Sequence, residues 1–399
     1  MRVLFFTGKG GVGKTSVASA TGLKAAQQGY RTVVMSLDLA HSLSDAFDVD
    51  KGRLEECEDR ICEVRPNLFI QEMDVQQEIR THWGNIYEYI ADLLSTAGLD
   101  DVVAEEIALL PGMAEVVGLF YINRYYRRES YDLVILDCAP TGESLRFLSM
   151  PTALEWYMNK IFRAERSVMK VARPLANMLY DVPMPEEDYF EAVEKIYERL
   201  KGVQDLLGDP SATSARLVTN PEKMVVKESQ RAFMYMSLYG VNVDMVVANR
   251  VYSDEIRDTY LKNWKKTQEE YLRRIKQSFQ PVPVRTVELF DDQIVGTDAI
   301  QKLGDTIYGD EDPTDLFHQG APLRFTSEGD VTKALLKLPF AEKEEIDLSR
   351  NEDQLIVTIG NFKRYVTLPR SMAHLEPLGA EMQGDTLCVK FGGADDVQE

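Results

Sequence analysis

The chain has 399 residues, 44% of them apolar and 28% charged, with a net charge of −20. That length and composition fit a globular protein of two or three domains, at least one with a large core. The acidic balance argues against nucleic acid or an anionic membrane as a main partner, because phosphates repel such a surface.

The first element is a short β-prone run, "RVLFF", followed by "TGKGGVGKTS" and then by the helix-forming "VASATGLKAAQQ". Gly8, Gly13, Lys14 and Thr15 fit G-x-x-x-x-G-K-[ST], and a strand before and a helix after are the context this phosphate loop requires. The backbone N–H groups from Gly10, Gly11, Val12 and Gly13 through Lys14, Thr15 and Ser16 would turn inward around the phosphates of a nucleotide. Lys14 would reach the β- and γ-phosphates, and the Thr15 hydroxyl would hold Mg²⁺. That mechanism has no need of Lys9. It is either an exposed loop lysine or an extra cation for charge developing on the γ-phosphate, the work of an arginine finger in cis or from a second subunit.

Further strands are expected at "TVVMSLD" (32–38), "LFIQEMD" (68–74), "YDLVILD" (131–137), "ARLVTN" (215–220), "VDMVVANR" (243–250) and "PVPVRTV" (281–287). Helical segments separate them, which is the alternation of a doubly wound, mostly parallel α/β sheet. Asp137 ends an apolar strand, the place of a carboxylate that holds Mg²⁺ directly or through water. Asp38 ends another strand on the same sheet edge, where it could orient the attacking water or cap a helix. The blocks 76–128 and 151–208 are too long for simple crossovers and are expected to form an inserted helical subdomain. Its methionines, Met113, Met150, Met158, Met169, Met178 and Met184, suit either a core or a surface for varied hydrophobic partners.

With the phosphate loop starting at Gly8, no removable leader is expected. The most apolar window, 102–122, carries three glutamates and a Pro-Gly pair, so it is no transmembrane span. A cytoplasmic location, or the soluble phase of an organelle, is expected. The four cysteines form no secreted disulfide framework; Cys57 and Cys62, spaced C-x₄-C, are expected to be structural, with a metal or redox pair as the lesser alternative. The four histidines are scattered and suggest no metal site.

Beyond about residue 310 the character changes. Residues 311–329 lack a clear period and are expected to be a linker. Residues 330–392 alternate with turn signals, as in a small antiparallel β-sandwich, and 393–399 are expected to be a disordered tail.

"FTGKGGVGKTSVA", "DLAHSLSDAF" (38–47), "PGMAE" (111–115), "DCAPTGESLRFL" (137–148), "NPEKMVVKESQR" (220–231) and "VVANR", in that order, resemble the arsenical pump-driving ATPase (ArsA) family over about 1–310. That family includes the factors that deliver tail-anchored membrane proteins. The resemblance implies that Lys9 reaches the nucleotide of a partner subunit, that Asp38 activates water in switch I, that Asp137 begins switch II, and that Asp38 and Asp137 hold Mg²⁺ through water. It also implies that Asn249 reads adenine and that Pro283 lies beside the base. Members work as two facing ATPase halves, so a single half implies a homodimer with a composite groove for a hydrophobic segment. Residues 330–392 resemble an α-crystallin, small heat-shock type sandwich, either binding clients or buttressing the ATPase.

Three departures matter. Leu39 stands where the family has proline in switch I, which leaves Asp38 in place. No Cys-x-x-Cys follows "VVANR", so no structural zinc is expected. The arsenite-binding cysteines have no counterpart, which disfavours a metalloid pump motor. An ATP-switched targeting or chaperone cycle is the leading expectation, and a nucleotide-regulated holdase for soluble clients the alternative.

Overall fold

The computed structural model describes residues 1–36, 42–57, 60–73, 113–138, 148, 150–158, 162, 166, 187–256, 258–320, 322–328, 331–351 and 353–392. They fall into two compact units, one of Met1–Glu72, Glu129–Ser149 and Asp205–Glu399, the other of Met73–Arg128 and Met150–Gln204.

The first unit opens with β1 (Arg2–Thr7), α1 (Lys14–Gln27), β2 (Thr32–Ser36), α2 (Ser42–Phe47), α3 (Lys51–Glu56), β3 (Ile61–Arg65) and β4 (Leu68–Glu72). The second unit contributes α4 (Met113–Arg128), then α5 (Met150–Tyr157) and α6 (Glu187–Leu200) after β5 (Leu133–Asp137), and α7 (Val203–Gly208) closes that stretch. The first unit resumes with β6 (Thr213–Thr219), α8 (Lys223–Leu238), β7 (Val243–Val251), α9 (Lys262–Ser278), β8 (Val284–Glu288) and α10 (Thr297–Tyr308).

The eight strands form one sheet in the order β3-β4-β2-β5-β1-β6-β7-β8, parallel except for β3 against β4. β2 and β5 are buried at every position and β1 at all but its first. Continuous apolar runs such as "VLFF" and "LVIL" supply strands covered on both faces. β1 lies where the chain, having built strands on one side, turns to build the other. In such sheets ligands bind beyond the carboxyl ends of the strands at that point. β3 is an addition to the expected strands. "ICEVR" is a five-residue edge strand, too short to show its period beside its neighbour.

Cys57 and Cys62 form a disulfide, with Cα atoms 5.8 Å apart, which closes the end of α3 onto β3. A joined pair offers no thiolate, so the metal alternative for these residues is corrected. Cys138 and Cys388 lie outside that disulfide and are buried.

The stretch expected as a linker is pinned to the ATPase sheet. Tyr30 donates to Asp312 (2.7 Å), Arg2 to the Thr314 carbonyl (3.2 Å) and Arg216 to the Asp315 carbonyl (3.1 Å). Asn242 donates to the His318 carbonyl (2.7 Å) and accepts from the Gly320 N–H (2.8 Å). Residues Leu323–Glu328, also inside that stretch, form a strand, β9. After Pro322 the punctuating residues stop and "LRFTSE" pairs antiparallel with β10 (Val331–Lys337).

β11 (Ile346–Asn351), β12 (Gln354–Ile359), β13 (Phe362–Thr367), β14 (Glu376–Gln383) and β15 (Thr386–Gly392) complete the sandwich. Its sheets run β14-β15-β10-β9 and β11-β12-β13. Their shared core, including Leu336, Val357, Val366 and Phe391, also takes in Met234 and Leu238 of α8. The Tyr235 and Phe362 rings lie 3.8 Å apart, and Arg364 donates to the Leu238 carbonyl. Burial at that contact lowers the pKa of Arg364 to about 10.

In the second unit Met158, Phe162, Phe190 and Val193 form a small core, with Phe162 edge-on to Phe190 at 5.7 Å. Met150 is 38% exposed. Met169, Met178 and Met184 lie outside the described residues.

Candidate active site

The phosphate loop leaves β1, approaches Val218 of β6 and Asn249 of β7, and enters α1, whose first turn bonds to Asp137 at the end of β5. Two of its glycines are dictated by close approach. A Cβ on Gly8 would stand 2.1 Å from the Val218 carbonyl oxygen in β6. A Cβ on Gly13 would stand 2.5 Å from Nδ2 of Asn249, and its φ of +92° is itself reserved for glycine. Val12 is 1% exposed and anchors the loop in the core, whereas Gly10 and Gly11 face solvent.

Lys14, Thr15 and Ser16 make the first turn of α1, where N–H groups have no carbonyl four residues back and the helix dipole favours anions. The ammonium of Lys14 is folded into the loop, 3.4 Å from the Lys9 carbonyl. The Thr15 hydroxyl donates to the Asp137 carboxylate at 2.5 Å and lies 3.3 Å from the Ser42 hydroxyl. Asp137 is 2% exposed at the end of β5. Two hydroxyls and a carboxylate within this span are hard oxygen donors. They fit Mg²⁺, which takes oxygen ligands and keeps several waters.

Asn249 ends at the loop. Its Nδ2 donates to the Val12 carbonyl at 2.8 Å and its Oδ1 accepts from the Arg250 N–H at 2.9 Å. Pro283 is not brought to this site. In the parallel pair, Val246 is level with Val284 and Ala248 with Thr286, so Pro283 precedes the amino end of β8. It lies about 13 Å of strand below the level of Asn249. Strand direction thus sets Pro283 apart from the loop, before the amino end of β8. The apolar side chain offered at the carboxyl end of β8 is Leu289, 45% exposed, whose N–H donates to the Val251 carbonyl at 2.8 Å. Asp38 falls outside the described residues.

Two residues of the site were not singled out from sequence. Ser42 sits in "DLAHSLSDAF", where attention goes to the acid and the histidine. Glu72 ends β4, and its Oε1 accepts from the Ser44 N–H at 2.8 Å. An acid at the end of an apolar strand was the available signal.

Comparison with known families gives a match to the anion-transporting ATPase (ArsA) model over residues 1–309. The chain belongs to that family. Residues 329–391 match the HSP20-like domain found in ArsA. A protein of Aquifex aeolicus named "Putative arsenical pump-driving ATPase 1" is 46% identical over 393 residues, 98% of this chain and 99% of that one. A Chlorobaculum tepidum protein named "Putative arsenical pump-driving ATPase" is 37% identical over 98% of this chain and 96% of its own. "ATPase get3" of Aspergillus niger is 24% identical over 77% of this chain and 90% of its own. The protein is thus an ArsA-family ATPase, a nucleotide-binding enzyme that hydrolyses ATP. Among its described residues no helix is long and apolar enough to cross a membrane.

Proposed function

We propose that this ATPase works as a homodimer whose MgATP cycle closes and opens a hydrophobic groove for membrane-destined segments, tail-anchored proteins among them. The observation that carries the reading is the second lysine. Lys9 stands beside solvent-facing Gly10 and Gly11, on a loop whose own phosphate lysine, Lys14, is only 8% exposed. A cation on the outer side of the loop suits a facing subunit's nucleotide.

Within one site, Lys14 holds the β- and γ-phosphates and the first-turn N–H groups fix their orientation. Thr15, Ser42 and Asp137 would hold Mg²⁺, which when bound neutralises charge on the phosphate oxygens. Asp38 orients the attacking water and accepts its proton. Lys9 from the facing chain stabilises charge on the transferring group. The helical unit supplies the groove, and exposed Tyr126 and Met150 are apolar side chains it offers.

A second reading, a nucleotide-regulated holdase for soluble clients, draws on the HSP20-like match. A metalloid motor is disfavoured by thiol chemistry. Cys57 and Cys62 are joined, and the other two cysteines are buried apart, Cys138 just past the end of β5 and Cys388 in β15 of the sandwich.

The test is capture of a labelled tail-anchored transmembrane peptide with MgATP, with MgADP and without nucleotide, using Asp38→Asn to hold the ATP state. One peptide per two chains, bound only with MgATP, is expected. Capture indifferent to nucleotide would leave the holdase reading, and no capture would remove membrane-protein delivery.

A further inference from the structure

Glu72, Ser36 and Asp137 lie in one row across the carboxyl edge of the sheet, Glu72 level with Ser36 on β2 and Ser36 level with Asp137 on β5. All three are buried, at 5%, 3% and 2% exposure. With strands ~4.8 Å apart, the two acidic residues stand about 10 Å from each other along the row. A buried carboxylate is costly unless it is bonded to donors that favour its charged form. One such donor is the Ser44 N–H in the first turn of α2.

α2 has six residues, too few for a helix to hold itself in water. Leu43, Ala46 and Phe47 root it in the core beneath α1. To that packing the Glu72 carboxylate adds a polar contact at the first turn. Ser42, two residues before Ser44, is the residue whose hydroxyl lies 3.3 Å from Thr15, and Thr15 in turn donates to Asp137.

We propose that Glu72 is a positioning residue for the cation of the ATPase reaction. Its carboxylate holds the first turn of α2 so that the Ser42 hydroxyl stays beside Thr15 and Asp137. The inference rests on the ATPase reading, and it predicts a defect in the cation-dependent part of nucleotide binding, separate from nucleotide binding as such.

The experiment is calorimetric titration of ADP into the full chain, with Mg²⁺ and with EDTA, alongside thermal melting. Glu72→Ala should lose about tenfold of the Mg²⁺-dependent gain in ADP affinity, the scale on which partners of ligating groups act, and keep the affinity measured in EDTA. Glu72→Gln retains an amide oxygen that can accept from Ser44 and should keep the gain. Ser42→Ala should match Glu72→Ala, and the double variant should be no worse than either, since both act through one contact. If Glu72→Ala does not fold, Glu72→Asp withdraws the acceptor by one methylene and should show the same loss. An intact Mg²⁺ gain in Glu72→Ala, equal falls with and without Mg²⁺, or a loss in Glu72→Gln as large as in Glu72→Ala would overturn the proposal. A wild-type chain that binds no ADP at all would instead remove the ATPase reading.

Discussion

Asn249 and Val12 are 237 residues apart in sequence and joined by a 2.8 Å hydrogen bond from the Asn249 amide to the Val12 carbonyl. The end of β7 therefore grips the phosphate loop from below, and Gly13 is the residue that lets it come so close. Asn249→Ala should leave the fold intact and weaken ADP binding about tenfold, or about 1.4 kcal/mol, the worth of one buried hydrogen bond. Gly13→Ala should abolish binding, because it adds a steric clash to a strained φ. Calorimetry with ADP measures both, and tight binding by Gly13→Ala would contradict the described loop geometry.

Lys9 and Lys14 should separate cleanly. Lys14→Ala should lose nucleotide binding. Lys9→Ala should bind ATP and hydrolyse it about 10³-fold more slowly, the lower end of what a finger residue contributes. Mixing decides whether Lys9 acts across chains. A Lys9→Ala chain keeps Asp38, and an Asp38→Asn chain keeps Lys9, so an equimolar mixture should recover roughly one quarter of wild-type turnover in a freely exchanging two-fold dimer. A mixture as inactive as its components would place Lys9 in cis or outside the reaction.

The buried network behind α1 makes a stability prediction. Arg216 and Asp244 are both fully buried and 3.2 Å apart. Tyr308 accepts from Arg216 at 2.9 Å. Thr21 gives its own hydrogen to the Val17 carbonyl, so the Tyr308 hydroxyl donates to Thr21, at 2.7 Å. Asp244→Ala strands the guanidinium and should cost about 3–5 kcal/mol. Tyr308→Phe should cost about 1–2 kcal/mol. Denaturant unfolding gives both values, and an Asp244→Ala chain of wild-type stability would show that Arg216 finds other partners.

His318 supplies a pH dependence. Burial, and then the Lys337 ammonium, push its pKa below the ordinary value, with Asp244 opposing. The unfolded chain therefore binds a proton that the folded chain refuses in the window below about pH 6.5. Its contribution is complete above that pH and is lost as pH falls through the lowered value. Stability should rise between pH 5 and 7, and His318→Gln should flatten that rise. NMR titration should find one of the four histidines below the usual range; a normal His318 titration would remove the effect.

What sequence could reveal follows the range of the interactions. The phosphate loop, Asp137 and the parallel strands were legible because each is written in a few adjacent residues. The pair Ser42 and Glu72 was not, because their relationship exists only once β4, β2 and β5 lie side by side. The place of Pro283 was hidden for the same reason: the motif gave its neighbours along the chain, and only strand direction shows which edge of the sheet it occupies. β9 was hidden by the Pro- and Gly-rich residues just before it, and the Cys57–Cys62 bond by the rule that spacing alone does not set pairing.

The sandwich and α8 share one core, and residues 312–320 are bonded along the sheet that precedes them. The two segments that match separate families are therefore halves of a single folding unit. A chain cut at residue 310 would bare Met234, Tyr235 and Leu238 to water, remove the Asp315 carbonyl from among the acceptors of Arg216 and take the His318 carbonyl from Asn242. Such a truncation is an aggregation-prone fragment, and deletion phenotypes of the sandwich would report damage to the motor as readily as loss of any task of its own.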